Sequence, residues 1–168
     1  DRGKSTLVIL NTKDDARKVY KQCKPFECEK AFLTTDLCPA HRLNILDRLR
    51  KNLHPVTKRL TLCVSTQLIE AGVDVSFDCV IRAQAGIGSI IQAAGRCNRN
   101  KENPTPQTVF VVDVRDEKLS RLPEIKDGKE VTTRVFREKQ GINLLTGHRV
   151  DRVLDSDAPR LQQLFQFL

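Results

Sequence analysis

Two arginines and a glutamine recur at short intervals in the stretch SIIQAAGRCNRN, residues 89–100. Arg96 and Arg99 are three residues apart and Gln92 precedes Arg96 by four, so on one continuous helix all three would share a face. Two guanidinium groups on one face repel each other unless an anion or an acid lies between them, and a phosphate fits that position. The spacing leaves two interpretations: a helix with solvated charges, or an arginine pair that binds a phosphate.

A second stretch, VSTQLIEAGVDVSFD (residues 64–78), contains residue types that suit a neighbouring part of such a site. An apolar strand ends at Ser65 and Thr66, whose small hydroxyl groups can donate to a nucleic-acid phosphate. Gly72 allows a sharp backbone turn, and Asp74 then presents a carboxylate near the same edge. Together with the alternating pattern of strands and helices, this acidic turn favours the phosphate-binding interpretation.

Short apolar runs alternate with helical patterns along most of the chain and predict the elements that position these residues. The predicted strands are residues 5–10, 31–37, 59–65, 78–82 and 108–114, and the predicted helices are residues 11–23, 38–53, 66–72 and 89–97. Thr12 is the expected N-cap of the first helix, and Pro39 opens the second. Strands that alternate with helices indicate a parallel α/β sheet, on which ligands bind at the carboxyl ends of the strands.

The length of 168 residues predicts one domain, over residues 1–115. The pattern weakens after residue 115, and residues 116–168 are either an extension or the start of a C-terminal domain, closing with a short amphipathic segment at 160–168. The chain contains no Met, which leads us to expect a fragment of a longer protein.

Positive charge is concentrated in the first third of the chain. Residues 1–60 contain 14 Lys and Arg and 7 Asp and Glu, so a net +7 of the total +8 lies there. This distribution fits a polyanion partner that is bound through its phosphates, and a basic surface that only confers solubility fits it about as well.

The six cysteines contain no C-x-x-C pair, and three of them lie within apolar runs. Without a visible secretion signal, they are expected to be free thiols of a cytoplasmic protein. The three histidines are scattered, so no metal site is predicted. No apolar run reaches the length of about 18 residues that a membrane-spanning helix needs.

Three stretches resemble motifs of superfamily 2 helicases: motif VI in QAAGRCNR (92–99), motif V in residues 64–78, and the start of motif IV in TLVILNTKDDA (6–16). LTTDLCPAHR (33–42) and AGIGSIIQAAGRCNR (85–99) are similar to the CRISPR-associated helicase–nuclease of type I interference systems. The resemblance covers roughly residues 5–114. It implies the second of two RecA-like domains of a DNA-translocating ATPase, with the parallel sheet and flanking helices of P-loop NTPases.

The resemblance also implies roles for individual residues at an ATP site. Arg96 and Arg99 would reach phosphates of ATP bound on the first RecA-like domain, with Arg99 as the arginine finger. Gln92 would contact a phosphate or the attacking water, while Gly72 and Asp74 would lie at the nucleotide cleft. ATP and Mg²⁺ would be bound mainly by the first RecA-like domain.

A separate set of residues is implied for DNA. Thr66 and the turn formed by Asn11 and Thr12 would contact the DNA backbone, and Arg42 would contact DNA or form a structural salt bridge. The implied partners are single-stranded DNA, the first RecA-like domain of the same chain and a crRNA-guided surveillance complex, with nuclease activity elsewhere in the full protein. Such a protein would act in CRISPR antiviral defence.

Two alternatives stay open at this point. The chain is part of another superfamily 2 DNA motor, of repair or restriction, or it is a non-enzymatic α/β nucleic-acid-binding module whose arginines bind a structural anion. The sequence gives no direction of translocation and no oligomeric state.

If the arginines form one side of an ATP site, the isolated chain should hydrolyse ATP negligibly. An arginine finger adds roughly 10³–10⁵ in rate only where a second domain binds the nucleotide. Phosphate release by a purified preparation of the 168 residues measures this, and robust turnover would contradict the expectation.

Overall fold

The computed structural model describes residues 3–70, 72–105, 107–138 and 149–153. Six strands form one sheet in the order β2-β3-β1-β4-β5-β6, and every neighbouring pair is parallel. The strands are β1 (Thr6–Ile9), β2 (Glu29–Leu33), β3 (Thr61–Ser65), β4 (Cys79–Ala83), β5 (Thr108–Val112) and β6 (Arg149–Val153). The predicted parallel α/β sheet is confirmed.

Four helices flank the sheet: α1 (Lys13–Gln22), α2 (Pro39–Leu53), α3 (Ile87–Ala94) and α4 (Pro123–Glu138). Thr12 caps α1 as predicted, because its Oγ1 accepts a hydrogen bond from the backbone N–H of Asp15 over 3.1 Å. Pro39 occupies the first turn of α2, where its missing N–H leaves no hydrogen bond unmade.

The three central strands are buried along their whole length, which explains their nearly continuous apolar sequences. Successive side chains of a strand point to opposite faces, so the sheet has two cores. On one face, Leu7 and Ile9 of β1 pack with the apolar sides of α2 and α3. On the other face, Val8 and Leu10 pack with α1.

Two predicted helices end differently in the structure. In place of the helix predicted over residues 66–72, the described residues of this range form a 3-10 turn at Gln67–Ile69, and Gly72 has a φ of +70°. The helix predicted over residues 89–97 ends at Ala94, with Gly95 as its C-cap. Arg96 and Arg99 therefore do not share a helix face with Gln92, and the expectation that they do is wrong.

The structure adds α4 and β6 to the elements that the sequence predicted. β6 pairs with β5 and so extends the sheet, and α4 packs against α3. The boundary at 115 and the choice between an extension and the start of a C-terminal domain for residues 116–168 stay predictions. The amphipathic segment predicted at 160–168 lies outside the described residues.

The cysteines are free thiols, as the sequence led us to expect. All six cysteines are free, and four of them are buried, whereas Cys38 is exposed. Burial raises the pKa of Cys63 to about 12, so this thiol is protonated and unreactive at neutral pH. Among the described helices, none is both long enough and apolar enough to cross a membrane.

The contact between α3 and α4 depends on the absence of a side chain at Gly128. A Cβ on Gly128 of α4 would lie 2.9 Å from the Cα of Gly86, the N-cap of α3, and real side chains do not approach a backbone atom that closely. A Cβ on Gly86 would lie 3.6 Å from the Cα of Gly128, which is an ordinary contact.

Gly128→Ala should destabilise the chain by about 1–3 kcal/mol because the added methyl group overpacks the contact between the two helices. Denaturant unfolding of the purified chain measures the change. Gly88→Ala in α3 is the matched control, since no atom lies within 4 Å of its added Cβ. The control should be neutral or stabilising, by up to about 1 kcal/mol. Equal effects of the two substitutions would contradict the close packing of α3 and α4.

Candidate functional site

Two chain segments pack against each other on the sheet face that carries α2 and α3. The first, called here the 66–77 segment, connects β3 to β4, and the second, the 95–99 loop, follows α3. Apolar side chains of both belong to one core. The backbone N–H of Phe77 donates to the carbonyl of Arg96 over 2.9 Å, and the N–H of Asn98 donates to the carbonyl of Phe77 over 2.8 Å. The structure thus joins the two stretches that the sequence singled out.

Arg96 points inward from the loop. Its side chain is 6 % exposed, and it donates from Nε to the carbonyl of Ile69 over 3.0 Å and from Nη2 to the carbonyl of Glu70 over 2.7 Å. Burial lowers the pKa of the guanidinium and Arg99 adds to this effect, while Asp74 and Glu70 oppose it. Arg96 therefore fastens the 66–77 segment to the 95–99 loop.

Arg99 points outward, because the chain has left the helix before it reaches this residue. Its Nε lies 2.9 Å from Oδ1 of Asp74, and the side chains of Arg99 and Asp74 are 42 % and 76 % exposed. An exposed ion pair contributes only about 0–1 kcal/mol, so the guanidinium can exchange this carboxylate for another anion at low cost. Of the two arginines, Arg96 is therefore buried and held by backbone carbonyls, whereas Arg99, three residues later, is accessible.

The other residues predicted at the nucleotide cleft are on the surface. Gln92 is exposed on the last turn of α3, one helical turn before Arg96. Gly72 is exposed, and its φ of +70° is a conformation that glycine adopts without strain. A Cβ at Gly72 would meet no atom within 4 Å, so the requirement for glycine there is conformational.

The four residues predicted to contact DNA follow the carboxyl ends of β1, β2 and β3, which are neighbours in the sheet. Thr12 is half-buried and caps α1, Thr66 is 4 % exposed, and Arg42 is half-buried and donates from Nη2 to the carbonyl of Leu37 over 3.2 Å.

Asn11 differs from the other three residues. It is 3 % exposed, its Nδ2 donates to the carbonyl of Gln84 over 2.9 Å, and its Oδ1 accepts from Arg82 over 2.6 Å. Its position gives the side chain a structural role and leaves no free polar atom for a DNA phosphate.

Sequence reasoning missed a buried ion pair beneath the site. Nε of Arg82 on β4 lies 2.7 Å from Oε1 of Glu70 in the 66–77 segment, and both side chains are almost fully buried. A signal for this pair was available, because Arg82 is the one charged residue in the five-residue buried strand CVIRA. Charged residues are rarely buried unless they are paired.

Among the residues that the structure describes, no group of three or more His, Cys, Asp or Glu side chains is placed to hold a metal ion.

The fold and the arrangement of these two segments define a RecA-like helicase domain. The C-terminal domain of the DEAD-box protein Dbp5 has the same fold, with a TM-score of 0.57 and 15 % identity over 100 % of this chain and 84 % of that one. A crystal structure of T. fusca Cas3 with AMPPNP has a TM-score of 0.69 and 18 % identity, over 83 % of this chain and 18 % of the T. fusca chain.

The chain belongs to the Cas3 family: the model for "CRISPR-associated nuclease/helicase Cas3, C-terminal" matches residues 2–102. The CRISPR-associated nuclease/helicase Cas3 of Haloferax volcanii is 62 % identical over 39 residues, which are 23 % of this chain and 4 % of that protein. The resemblance of the motifs is confirmed at the level of the family. The chain spans only a small part of the length of the Cas3 proteins that it matches, 4 % of the Haloferax volcanii protein and 18 % of the T. fusca chain.

The different positions of the two arginines predict different effects on stability. Arg96→Ala should destabilise the chain by about 2–6 kcal/mol, because it leaves two carbonyls of the 66–77 segment without their donor, at about 1–3 kcal/mol each. Arg99→Ala should change the free energy of unfolding by less than about 1 kcal/mol, since it removes an exposed ion pair and one long, exposed hydrogen bond, from Nη1 to the carbonyl of Gly95 over 3.5 Å. Urea unfolding compares the two variants, and equal destabilisation would contradict the structural role of Arg96.

Proposed function

We propose that this chain supplies the arginine side of an ATP site and part of a single-stranded DNA track in a CRISPR-associated helicase–nuclease. The observation that carries the proposal is the contrast between Arg96 and Arg99. Arg96 is fastened to two carbonyls, whereas Arg99 is exposed and bound to one exposed carboxylate. An arginine finger needs an accessible guanidinium on a loop that is held in place, because little reorganisation then accompanies its approach to a phosphate. Here Arg96 holds the 95–99 loop and Arg99 is the accessible guanidinium.

In this proposal Arg99 leaves Asp74 and pairs with the γ-phosphate of ATP when a second RecA-like domain closes against this one. A phosphate accepts two parallel hydrogen bonds from a guanidinium and carries more charge than a carboxylate, so the exchange is favourable. Asp74 then serves to orient Arg99 while the cleft is open. Gln92, exposed one turn earlier, would contact a phosphate or the attacking water, and Gly72 would allow the 66–77 segment to turn at the cleft.

The nucleotide itself and its Mg²⁺ would be bound mainly by the first RecA-like domain. Mg²⁺ would neutralise charge on the phosphates. This chain would place the guanidinium of Arg99 beside that charge, and Arg96 would stabilise the loop that presents Arg99. Opening and closing of the two domains during turnover would move the DNA strand.

The DNA track is proposed at the carboxyl ends of β1, β2 and β3, where Thr12, Arg42 and Thr66 lie. The net +7 of residues 1–60 supports binding of a polyanion near these strands. We omit the side chain of Asn11 from the track because both of its polar ends are bonded inside the fold.

Membership of the Cas3 family supports further proposals for the whole protein. We propose that it is an ATP-dependent helicase with a nuclease domain elsewhere in the chain, and that a crRNA-guided surveillance complex recruits it in antiviral defence.

Arg99→Ala in the full-length protein tests the proposal. Single-stranded-DNA-stimulated ATP hydrolysis should fall by roughly 10³-fold or more, because a finger contributes 10³–10⁵ in rate. Binding of single-stranded DNA, measured by fluorescence anisotropy, should change by less than about twofold, because one exposed residue outside the proposed track is removed.

The matched control is Arg50→Ala on α2. Arg50 also forms an exposed ion pair, with Nη1 2.7 Å from Oδ1 of Asp47 and side chains 47 % and 62 % exposed. This control should keep normal turnover. Normal turnover of Arg99→Ala would remove Arg99 from the mechanism, and a full-length wild-type protein that binds DNA without hydrolysing ATP would favour a non-enzymatic binding module.

A further inference from the structure

The buried guanidinium of Arg82 connects three parts of the domain. Arg82 lies on β4 and is fully buried on the face shared with α3. Its Nε is 2.7 Å from Oε1 of Glu70, and its Nη1 donates to Oδ1 of Asn11 over 2.6 Å and to the carbonyl of Ala83 over 2.9 Å. One rigid, planar group thus touches the 66–77 segment, the end of β1 and its own strand.

Glu70 interacts with two arginines, with Arg96 through its backbone carbonyl and with Arg82 through its carboxylate. Its backbone carbonyl accepts the hydrogen bond from Nη2 of Arg96 over 2.7 Å, and its side chain pairs with Arg82. A hydrogen bond with Ser89 of α3 also favours the charged form of the Glu70 carboxyl, although burial raises its pKa. The orientation of Glu70 therefore fixes the carbonyl to which Arg96 is fastened.

Asn11 occupies the other end of the connection. It lies between β1 and α1, directly before Thr12, and its amide joins Arg82 to the carbonyl of Gln84 at the end of β4. The chain of contacts from the turn at Asn11 and Thr12 to Arg96 contains only Arg82 and Glu70. It runs along the carboxyl ends of β1 and β4, from the proposed DNA track to the proposed ATP site.

The charges explain why this connection is rigid. A buried guanidinium is stable only when its partners remain in place, because the loss of one partner leaves an uncompensated charge in a medium of low polarity. Burial lowers the pKa of Arg82, and the ion pair with Glu70 counteracts that effect. A displacement of Asn11 or Glu70 would therefore leave part of the buried charge of Arg82 uncompensated.

We propose that Arg82 is a positioning residue that, through Glu70, sets the place of the 95–99 loop and links it to the turn at Asn11 and Thr12. This inference rests on the proposed function, since it concerns how the arginine side of the ATP site is held in register with the DNA track. Arg82 does not touch the nucleotide. It acts through Glu70 and Arg96.

Arg82→Lys in the full-length protein is the first test. Lysine keeps the charge but has a single ammonium group, which cannot reach Glu70 and Asn11 with the geometry of a planar fork. DNA-stimulated kcat should fall about 10- to 100-fold, the loss expected when a reacting group is misplaced by roughly 1 Å. KM for ATP and Kd for single-stranded DNA should change by less than about twofold, because binding of either partner does not use Arg82.

Glu70→Gln is the second variant, and it keeps the volume, the backbone carbonyl and an oxygen acceptor for Arg82. It should reproduce the loss of kcat at nearly unchanged KM, so the inference stays testable if Arg82→Lys does not fold. Leu62→Ala is the control for general destabilisation. Leu62 lies on β3, is 4 % exposed and belongs to the core on the sheet face that carries α1, opposite the face of the 66–77 segment and the 95–99 loop. The substitution should lower the melting temperature and leave kcat within about twofold, because a cavity on the opposite face of the sheet costs only stability.

Normal DNA-stimulated kcat in folded Arg82→Lys or Glu70→Gln would overturn the inference. An equal loss of kcat in Leu62→Ala at the same melting temperature would do so as well, since general destabilisation would then account for it. The Arg99→Ala variant separates this result from a failure of the proposed function. If Arg99→Ala is inactive while Arg82→Lys is normal, only the positioning role fails. If Arg99→Ala retains full turnover, the proposed ATP site fails.

Discussion

The two hydrogen bonds from the guanidinium of Arg96 to the carbonyls of Ile69 and Glu70 are the contact on which the rest of the site depends. They join two segments that are about 25 residues apart in sequence and lie side by side on one face of the sheet. Without a buried donor at this position, two carbonyls of an irregular segment would be desolvated and unbonded, at a cost of about 1–3 kcal/mol each. The loop that presents Arg99 is thus anchored by its neighbour.

Anchoring one arginine and exposing the other follows from where α3 ends. On a longer helix the two side chains would point the same way, and both would be exposed or both buried. Because Gly95 ends the helix, Arg96 turns into the core and Arg99 turns out toward Asp74. Beneath the 95–99 loop, polar contacts lead from Arg96 through Glu70 and Arg82 to Asn11. The loop that presents Arg99 is therefore connected to the central strands.

Much of the fold could be predicted from the sequence, because its central strands are buried on both faces and leave an unmistakable apolar pattern. The N-cap Thr12 and the start of α2 at Pro39 were predictable for a different reason, because each depends on the local chemistry of one residue. The end of α3 was not predicted. An apolar helical pattern with favourable residues does not reveal where tertiary hydrogen bonds, here those of Arg96 with the 66–77 segment, replace helical ones.

The site divides in the same way. Residue types and spacing identified Arg96, Arg99, Gly72 and Asp74, because arginines and a turn before an acid have recognisable chemistry. For Asn11 the sequence did not reveal the buried contacts of the side chain, because a polar residue after a strand is typical both of a ligand contact and of a buried structural amide. In the structure the side chain contacts Arg82 and the carbonyl of Gln84. The ion pair of Glu70 and Arg82 joins residues on separate elements, and no local pattern specifies which strand meets which loop.

The most direct test is a structure of the full-length protein bound to single-stranded DNA, ADP and a mimic of the transferred phosphate. The account predicts that the guanidinium of Arg99 has left Asp74 and lies within charge-assisted hydrogen-bond distance, about 2.7–2.9 Å, of the phosphate mimic. In the same structure Arg96 should still donate to the carbonyls of Ile69 and Glu70. A closed complex in which Arg99 remains paired with Asp74, away from the nucleotide, would contradict the account.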